Sequence, residues 1–211
     1  MIDTESFPKL RSMVTRPPAS RLPAARRRRQ LLDVALELFA ARGYHTTSMN
    51  DIAEAAGVTK PVLYQHFRSK RALYLELLED VGGRLRDVIG KATSEAPNPR
   101  EQVQAGFLAY FTFVSEQRTA FQLLFGGGSR RDVEFADAVR SVEQSIAESI
   151  ATLIDVDGLE PNRRRLLAHG IVGLAEGTSR HWVANGLAGS PEDLAQHVAA
   201  LAWAGLRGIR G

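Results

Sequence analysis

Residues 46–74 read TTSMNDIAEAAGVTKPVLYQHFRSKRALY, two short amphipathic segments separated by a glycine. Ser48 and Asp51 have the spacing of a helix capping box, with Asp in place of Glu. Gly57 accepts a positive φ without steric cost, and the small side chain of Ala53 lets a second helix cross closely. The pattern predicts a helix-turn-helix that turns at Gly57.

The second helix of this unit, predicted at about residues 59–67, carries polar and aromatic groups on its outward face. Helix-turn-helix proteins place such a helix in the major groove of DNA. Gln65 suits an adenine edge, Lys60 a guanine edge or a phosphate, and the Tyr64 hydroxyl a phosphate. Lys70, beside the free amides of the next helix, is a candidate phosphate clamp. The outward residues are Thr59, Lys60, Pro61, Tyr64, Gln65 and His66.

The flanking sequence completes a compact head at residues 26–71. The hydrophobic pattern changes at Arg26, and an apolar face from Leu31 onward predicts a first helix that ends at Gly43. Ser69 is expected to cap a long fourth helix. Residues 1–25 contain four prolines and spaced arginines without periodicity, which predicts a disordered basic arm.

The charge of the chain is asymmetric along its length. Residues 1–71 carry 13 Lys and Arg against 6 Asp and Glu, whereas residues 72–211 carry 14 against 18. A basic first third favours a module that binds a polyanion, or else a tail that aids solubility. Arg21 and the run from Arg26 to Arg29 are expected to precede the first helix. They would either enter a neighbouring minor groove or make loose phosphate contacts.

Composition excludes several classes of protein. The chain has no cysteine, which excludes disulfides, thiolate metal sites and cysteine nucleophiles. No apolar stretch is long enough to span a membrane or to form a signal-peptide core, so a cytoplasmic protein is expected. No cofactor and no metal site are predicted.

Beyond residue 96 the hydrophobic pattern remains helical, and no segment shows the alternation of a strand. The prediction is therefore an all-α protein of about nine helices, with a three-helix head and a helical body at residues 72–211. The expected helices of the body beyond the long fourth helix are residues 99–118, 119–125, 131–155, 161–186 and 190–207.

The string AGV-x-x-x-x-LY-x-HF-x-SK-x-x-LY closely resembles the DNA-binding motif of the tetracycline-repressor (TetR) family, and the resemblance covers about residues 26–80. It implies a dimeric one-component transcription regulator, expected to be a repressor, that binds a near-palindromic operator and responds to a small effector. By motif position, Ser48 and Tyr64 resemble phosphate contacts and His66 and Lys70 backbone contacts. The positions that resemble base readers are Thr59, Lys60, Pro61 and Gln65, and Asn50 lies where some members of the family place a base-contacting residue.

Aromatic residues are concentrated in residues 107–135, where six of the nine phenylalanines lie. They form either an ordinary core or an apolar pocket with a few polar anchors. The residues predicted to line an effector pocket are Phe107, Tyr110, Phe111, Phe121, Phe125 and His181. Residues 170–186 and 201–206 also resemble actinobacterial lipid-metabolism regulators that sense acyl-CoA, which implies a fatty acid or an acyl-CoA as effector.

Small residues recur along one side of each of the last two helices. Glycine within a helix costs up to about 1 kcal/mol, so its recurrence indicates close helix approach. This approach is either packing within one chain or the four-helix dimer interface that the family resemblance implies. The predicted interface residues are Gly173, Gly177, Leu194, Val198, Leu201 and Ala202. Gly82 and Gly83, within the fourth helix, are a candidate flex point for signal transfer.

Two alternatives give the helix-turn-helix a lesser role. One is an enzyme with a phosphate cradle at residues 126–131, although no strand precedes this glycine-rich stretch, or with a pair formed by Glu176 and His181. His169, His181 and His197 have no metal-ligand spacing. The other is a helical ligand-binding protein that has lost DNA binding, but its head would lack outward cations and hydrogen-bonding groups.

Overall fold

A computed structural model of the chain describes residues 23–125 and 133–209. Over these residues the chain forms nine α-helices and no strand, which confirms the all-α prediction. The helices are α1 (Ala24–Arg42), α2 (Met49–Ala55), α3 (Lys60–His66), α4 (Lys70–Ser94), α5 (Pro99–Glu116), α6 (Arg118–Phe125), α7 (Val133–Ala151), α8 (Pro161–Ala184) and α9 (Pro191–Leu206).

Local capping chemistry fixes where many of these helices begin. The side chains of four N-cap residues accept a hydrogen bond from the backbone amide three residues later, as capping requires. These residues are Ser48, Ser69, Asn98 and Ser190. Proline occupies the first turn of α5, α8 and α9, where a missing N–H costs no intrahelical bond.

The head consists of α1, α2 and α3 packed around the start of α4. Its core is closed by side chains that are at most 3% exposed, namely Leu31, Ala35, Phe39, Ile52, Ala53, Leu63, Phe67 and Leu73. The predicted head boundary at residue 71 lies inside α4. Glu76 and Asp80, beyond that boundary, form ion pairs with α1, so α4 belongs to both parts of the molecule.

The first helix begins at Ala24, earlier than the apolar face predicted. The described residues begin at residue 23, so only the last three residues of the predicted basic arm, residues 1–25, are described. Arg26 to Arg29 do not precede the first helix as expected, because they form its first turns. The glycine-rich stretch at residues 126–131 also lies outside the described residues.

In the body, α5 packs against α4 and α9, and α7 packs against α4 and α8. Gly82 lies where Val142 of α7 packs against α4. A Cβ placed there would lie 2.9 Å from Cγ2 of Val142 and closer still to its Cγ1. Gly82 thus makes room for a neighbouring helix within an unbroken α4, whereas a Cβ at Gly83 would meet nothing nearer than 3.9 Å.

Candidate DNA-binding surface and effector cavity

The turn between α2 and α3 has the predicted geometry. Gly57 adopts φ +64°, in the left-handed region that favours glycine. The amide of Val58 donates to the carbonyl of Ala53 at 2.9 Å and closes the turn. Ala53 is buried, as expected for the crossing point of two helices.

Ser48 and Asp51 form the predicted capping box at the start of α2. The amide of Ser48 donates to Asp51 Oδ2 at 2.7 Å, and the amide of Asp51 donates to Ser48 Oγ at 3.2 Å. The hydrogen bonds from the Ser48 side chain and amide lower the pKa of Asp51 below its ordinary value. Ser48 is exposed, but its hydroxyl also donates to Asp51, so a phosphate contact there would have to share it.

The outward face of α3 carries most of the predicted DNA-binding residues. Thr59 is the N-cap, yet its hydroxyl makes no capping hydrogen bond. Leu63 and Phe67 point into the core of the head and fix the orientation of the helix. The exposed side chains are Thr59, Lys60, Pro61, Tyr64 and Gln65. These five residues form one surface, which we call the α3 face.

Two other residues predicted to contact DNA, Lys70 and His66, are not part of the α3 face. Lys70 is half-buried; its Nζ donates to the carbonyl of Tyr44 at 2.9 Å and lies 4.2 Å from the centre of the Tyr44 ring. The ammonium group thus binds the loop after α1 instead of lying free at the start of α4. His66 is half-buried, and its carbonyl accepts a hydrogen bond from Arg28 at 2.7 Å.

Arg28 and Arg29 have a structural role that the sequence pattern did not predict. Arg28 makes a two-point ion pair with Glu76 on α4 and lies 4.4 Å from the centre of the Phe67 ring. Arg29 binds Asp80 at 2.8 Å and Asp33 at 2.7 Å. Burial by itself lowers the pKa of Arg29, but the hydrogen bonds to Asp33 and Asp80 and the negative charges of these two residues raise it above its ordinary value. These arginines join α1 to α4, so neither is available to a flexible arm.

The body contains a cavity of about 370 Å³. Three of the six predicted pocket residues line it: Phe107, Tyr110 and Phe125. The others lie elsewhere. Phe111 is fully buried beside Trp182, Phe121 is buried against Phe125, and His181 is exposed on α8, where its carbonyl accepts a hydrogen bond from the Asn185 side chain.

Most of the cavity lining was missed by the sequence interpretation. The additional apolar lining comes from helices far apart in the chain, and includes Ile89, Val103, Ile146, Ile150, Leu153, Ile154, Ile171, Val172, Trp203 and Leu206. The polar lining consists of Thr93, Gln102, Tyr110, Asp155, Glu176 and Arg207. The four-residue spacing of Ile146 and Ile150 signals a buried helix face, but it does not say what that face borders.

The predicted interface residues on α8 and α9 divide into two groups. Gly173 and Gly177 would place a Cβ in open space, and Leu201 is 63% exposed. Val198, in contrast, is buried in the core of the chain, and Leu194 packs against that core. Ala202 is half-buried. Close approach within one chain therefore does not explain the glycines of α8.

Other kinds of site find little support in the part of the chain that is described. No group of three or more His, Asp and Glu side chains could hold a metal ion among residues 23–125 and 133–209. Glu176 is buried while His181 is exposed, so the two do not form a pair. None of the described helices is long and apolar enough to cross a membrane.

Two family models match the chain and together cover most of it. Residues 31–77 match bacterial regulatory proteins of the tetR family, and residues 99–205 match the tetracyclin repressor-like C-terminal domain. The first match contains the helix-turn-helix, and the second contains the cavity-lining helices α5 to α9.

Curated relatives are named as transcription regulators. The chain is 34% identical over 188 residues to the transcriptional activator FasR of Mycolicibacterium smegmatis, covering 89% of this chain and 86% of that one. It is 35% identical over 127 residues to the transcriptional repressor KstR2 of Rhodococcus jostii, covering 48% and 62%.

Solved structures share the fold. A TetR-like transcriptional regulator from Rhodococcus has a TM-score of 0.72 and 31% identity, covering 90% of this chain and all of that one. FadR of Bacillus subtilis in complex with stearoyl-CoA has a TM-score of 0.72 at 20% identity, covering 86% and 99%, which is a likeness of fold.

Proposed function

The chain belongs to the TetR family of bacterial regulatory proteins, and we propose that it controls transcription by binding a near-palindromic operator as a homodimer. A small apolar or lipidic molecule, such as a fatty acid or an acyl-CoA, binds in the body and controls how much of the operator is occupied by the protein. Because the relatives include a named activator and a named repressor, the target promoter is either activated or repressed.

The α3 face carries this proposal. Its five exposed side chains project from a helix whose inner side is held by Leu63 and Phe67, so the reading groups are fixed relative to the head. Gln65 contacts an adenine edge, Lys60 a guanine edge or a phosphate, and Tyr64 a phosphate. Preorganised groups of this kind bind DNA without a large ordering cost.

The dimer forms through α8 and α9. Open space beside Gly173 and Gly177 lets another helix approach closely, and exposed Leu166 and Leu201 provide apolar area beside it. Two-fold symmetry makes such a surface self-complementary and places the two heads on successive turns of the major groove. Buried Val198 supports α9 from within the chain.

The effector occupies the cavity of the body. Its aliphatic and aromatic lining favours an apolar chain, and ligand pockets of several hundred Å³ are typical of such sites. The Bacillus subtilis protein of similar fold is in complex with stearoyl-CoA, so this architecture can accommodate an acyl thioester. Glu176 and His181 have no catalytic role in this proposal.

Two helices connect the cavity to the head. Ile146 and Ile150 of α7 line the cavity, and Phe135 near the other end of α7 packs 4.5 Å from the ring of Tyr44 and 4.4 Å from that of Tyr74. The second helix, α4, lines the cavity and also carries the ion pairs to α1. An effector that displaces α7 or α4 therefore shifts the position of α3 in each head.

A DNA-binding assay tests the proposal. Genomic fragments retained by the protein would supply an operator, and fluorescence anisotropy would measure binding over a range of salt concentrations. If Lys60 contacts a phosphate, Lys60→Ala should reduce the salt slope by about 1. Gln65→Ala should cost about 1–3 kcal/mol of binding free energy at one base position and relax the specificity there.

Lys91→Ala is the matched control. It removes the same charge as Lys60→Ala, but from the body, and should change neither the salt slope nor the base specificity. Binding that is absent or independent of salt would favour a ligand-binding protein without DNA recognition.

A further inference from the structure

A second recess in the body lies between α4 and α7, beside the cavity. It has a volume of about 480 Å³ and is lined largely by exposed residues of these two helices, among them Arg86, Lys91, Ser149 and Thr152. We call it the α4–α7 groove. One layer of side chains separates it from the cavity, because six residues line both spaces: Ile89, Thr93, Gln102, Ile146, Ile150 and Leu153.

The groove forms where α4 and α7 move apart. At Gly82 the two helices pack directly, since a Cβ there would lie 2.9 Å from Cγ2 of Val142. One turn further along, Nη1 of Arg86 donates to Oγ of Ser145 at 2.7 Å and joins the helices through side chains. After another turn, a Cβ placed on Gly90 would meet no atom within 4 Å. The groove therefore has open space beside the backbone of α4.

The groove has an excess of positive charge. Its ionisable side chains are Arg86, Lys91 and Asp87, whereas the rim of the cavity carries one charge of each sign, Asp155 and Arg207. Neither Arg86 nor Lys91 forms an ion pair with any residue that the structure describes. Both cations are exposed, so an anion can reach them from solvent.

The hydroxyl groups that line the groove donate to their own helices. Oγ of Ser149 donates to the carbonyl of Ser145 at 3.0 Å, and Oγ1 of Thr152 donates to that of Ser149 at 2.7 Å. On α4, Oγ of Ser94 donates to the carbonyl of Lys91 at 2.8 Å. Because each hydroxyl has a single hydrogen, the two cations are the main donors available to a ligand.

We infer that the α4–α7 groove binds the phosphate-bearing headgroup of the effector, whose acyl chain lies in the adjoining cavity. The inference rests on the proposed effector function and selects an acyl-CoA over a free fatty acid. A guanidinium and an ammonium group both bind phosphate oxygens well. A carboxylate is small and carries one charge, whereas the groove has two cations and the volume of a ligand pocket in its own right.

Isothermal titration of the full chain tests the charges of the groove. Dodecanoyl-CoA, dodecanoate and 1-dodecanol have the same chain length, and only the first carries phosphates. Arg86→Gln/Lys91→Gln should weaken dodecanoyl-CoA by about fivefold or more at low salt, because two exposed charge contacts are lost. The affinity for 1-dodecanol should change by less than about twofold, because its chain needs only the cavity.

Arg163→Gln/Arg207→Gln is the matched control for charge. Both arginines are exposed on the body and neither lines the groove, so the variant has the same net charge as Arg86→Gln/Lys91→Gln. It should keep the affinity for dodecanoyl-CoA within about twofold of the wild type.

A steric test does not depend on charge. Gly90→Leu places a side chain in the groove without a clash at Cβ, and leucine favours a helix more than glycine does. The variant should fold and should weaken dodecanoyl-CoA by roughly tenfold while binding 1-dodecanol normally. Gly90→Ala is the matched control, because it gains helix propensity but adds only a methyl group, and it should bind all three ligands as the wild type does.

The outcomes distinguish the inference from the function on which it rests. If the wild type binds dodecanoyl-CoA and either Arg86→Gln/Lys91→Gln or Gly90→Leu binds it equally well, the assignment of the groove is wrong and the effector class stands. Equal weakening in Arg163→Gln/Arg207→Gln also overturns the assignment, because total charge would then explain the effect. If the wild type binds only dodecanoate or 1-dodecanol, the effector is apolar and the groove has no role. If none of the three ligands binds, the proposed effector class fails and the inference fails with it.

Discussion

The head and the body of this protein use apolar side chains in different ways. In the head, Leu31, Ile52 and Leu63 are fully buried in a closed core, and the polar groups that matter project outward. In the body, Ile146 and Ile150 line an open volume of about 370 Å³. A filled core holds one arrangement, whereas unfilled space leaves contacts that a ligand can supply. The head therefore fits its proposed role in reading DNA, and the body its proposed role in responding to a small molecule.

The aromatic junction between the two regions should give the largest effect. Phe135→Ala removes a fully buried ring that packs on Tyr44 and Tyr74, and it should lower the free energy of unfolding by about 4 kcal/mol. Effector-dependent loss of DNA affinity should also weaken, because α7 loses its contact with the head. Chemical denaturation and anisotropy with and without dodecanoyl-CoA measure both effects.

Phe111→Ala is the matched control, because Phe111 is equally buried but packs on Phe107 and Trp182 within the body. At saturating ligand it should lose similar stability and keep the response of DNA affinity to effector. Equal weakening of that response in both variants would show that general loosening, and not the junction, carries the signal.

Truncating an aliphatic side chain of equal size to alanine in each region tests the contrast between the filled core of the head and the cavity of the body. Leu63→Ala in the head should lower the free energy of unfolding by about 3 kcal/mol, because a closed core cannot fill the space. Ile150→Ala on the cavity wall should cost about 1 kcal/mol, because this side chain already borders open volume and has fewer contacts to lose. Equal costs in urea denaturation would contradict the contrast between a filled head and an unfilled body.

Adjacent glycines on α4 should respond with opposite signs. Gly82→Ala forces a methyl group against Val142 and should destabilise the chain by about 1 kcal/mol after the gain in helix propensity. Gly83→Ala meets no atom nearer than 3.9 Å and should stabilise the chain by about 0.5–1 kcal/mol. Thermal melts measure both changes.

Gly83→Ala also tests whether α4 flexes at this point. A variant that is more stable and releases DNA normally with effector would rule out a flex point at Gly83. The same measurement on Gly82→Ala is less direct, because the substitution also disturbs the contact with α7.

The smallest effect should come from the capping box of the head. Hydrogen bonds from Ser48 lower the pKa of Asp51 below its ordinary value of 3.8. The capping box therefore stabilises the fold fully at pH values above 3.8. This contribution is lost as the pH falls through the lowered pKa. Melting temperatures of the wild type and Asp51→Asn should differ near neutral pH and converge in acid. An NMR titration midpoint for Asp51 at or above 3.8 would contradict the cap as the cause.

Local signals predicted the head in most of its detail. The capping pair, the turn glycine and the outward residues of α3 act within a few residues of one another, so a short stretch of sequence contains their physical cause. Lys70 departs from its prediction because its partner, Tyr44, lies 26 residues earlier in the chain. Arg28 departs for the same reason, since Glu76 lies 48 residues away.

The sequence by itself determined the helix-turn-helix, the all-helical class and the approximate helix bounds, because capping and hydrophobic periodicity are short-range properties. Tertiary structure alone decided which apolar faces close on one another and which border the cavity. Phe107 and Phe111 lie one turn apart on α5, yet one lines the cavity and the other packs on Trp182. Periodicity identifies a buried face, but the neighbouring helices determine what that face meets.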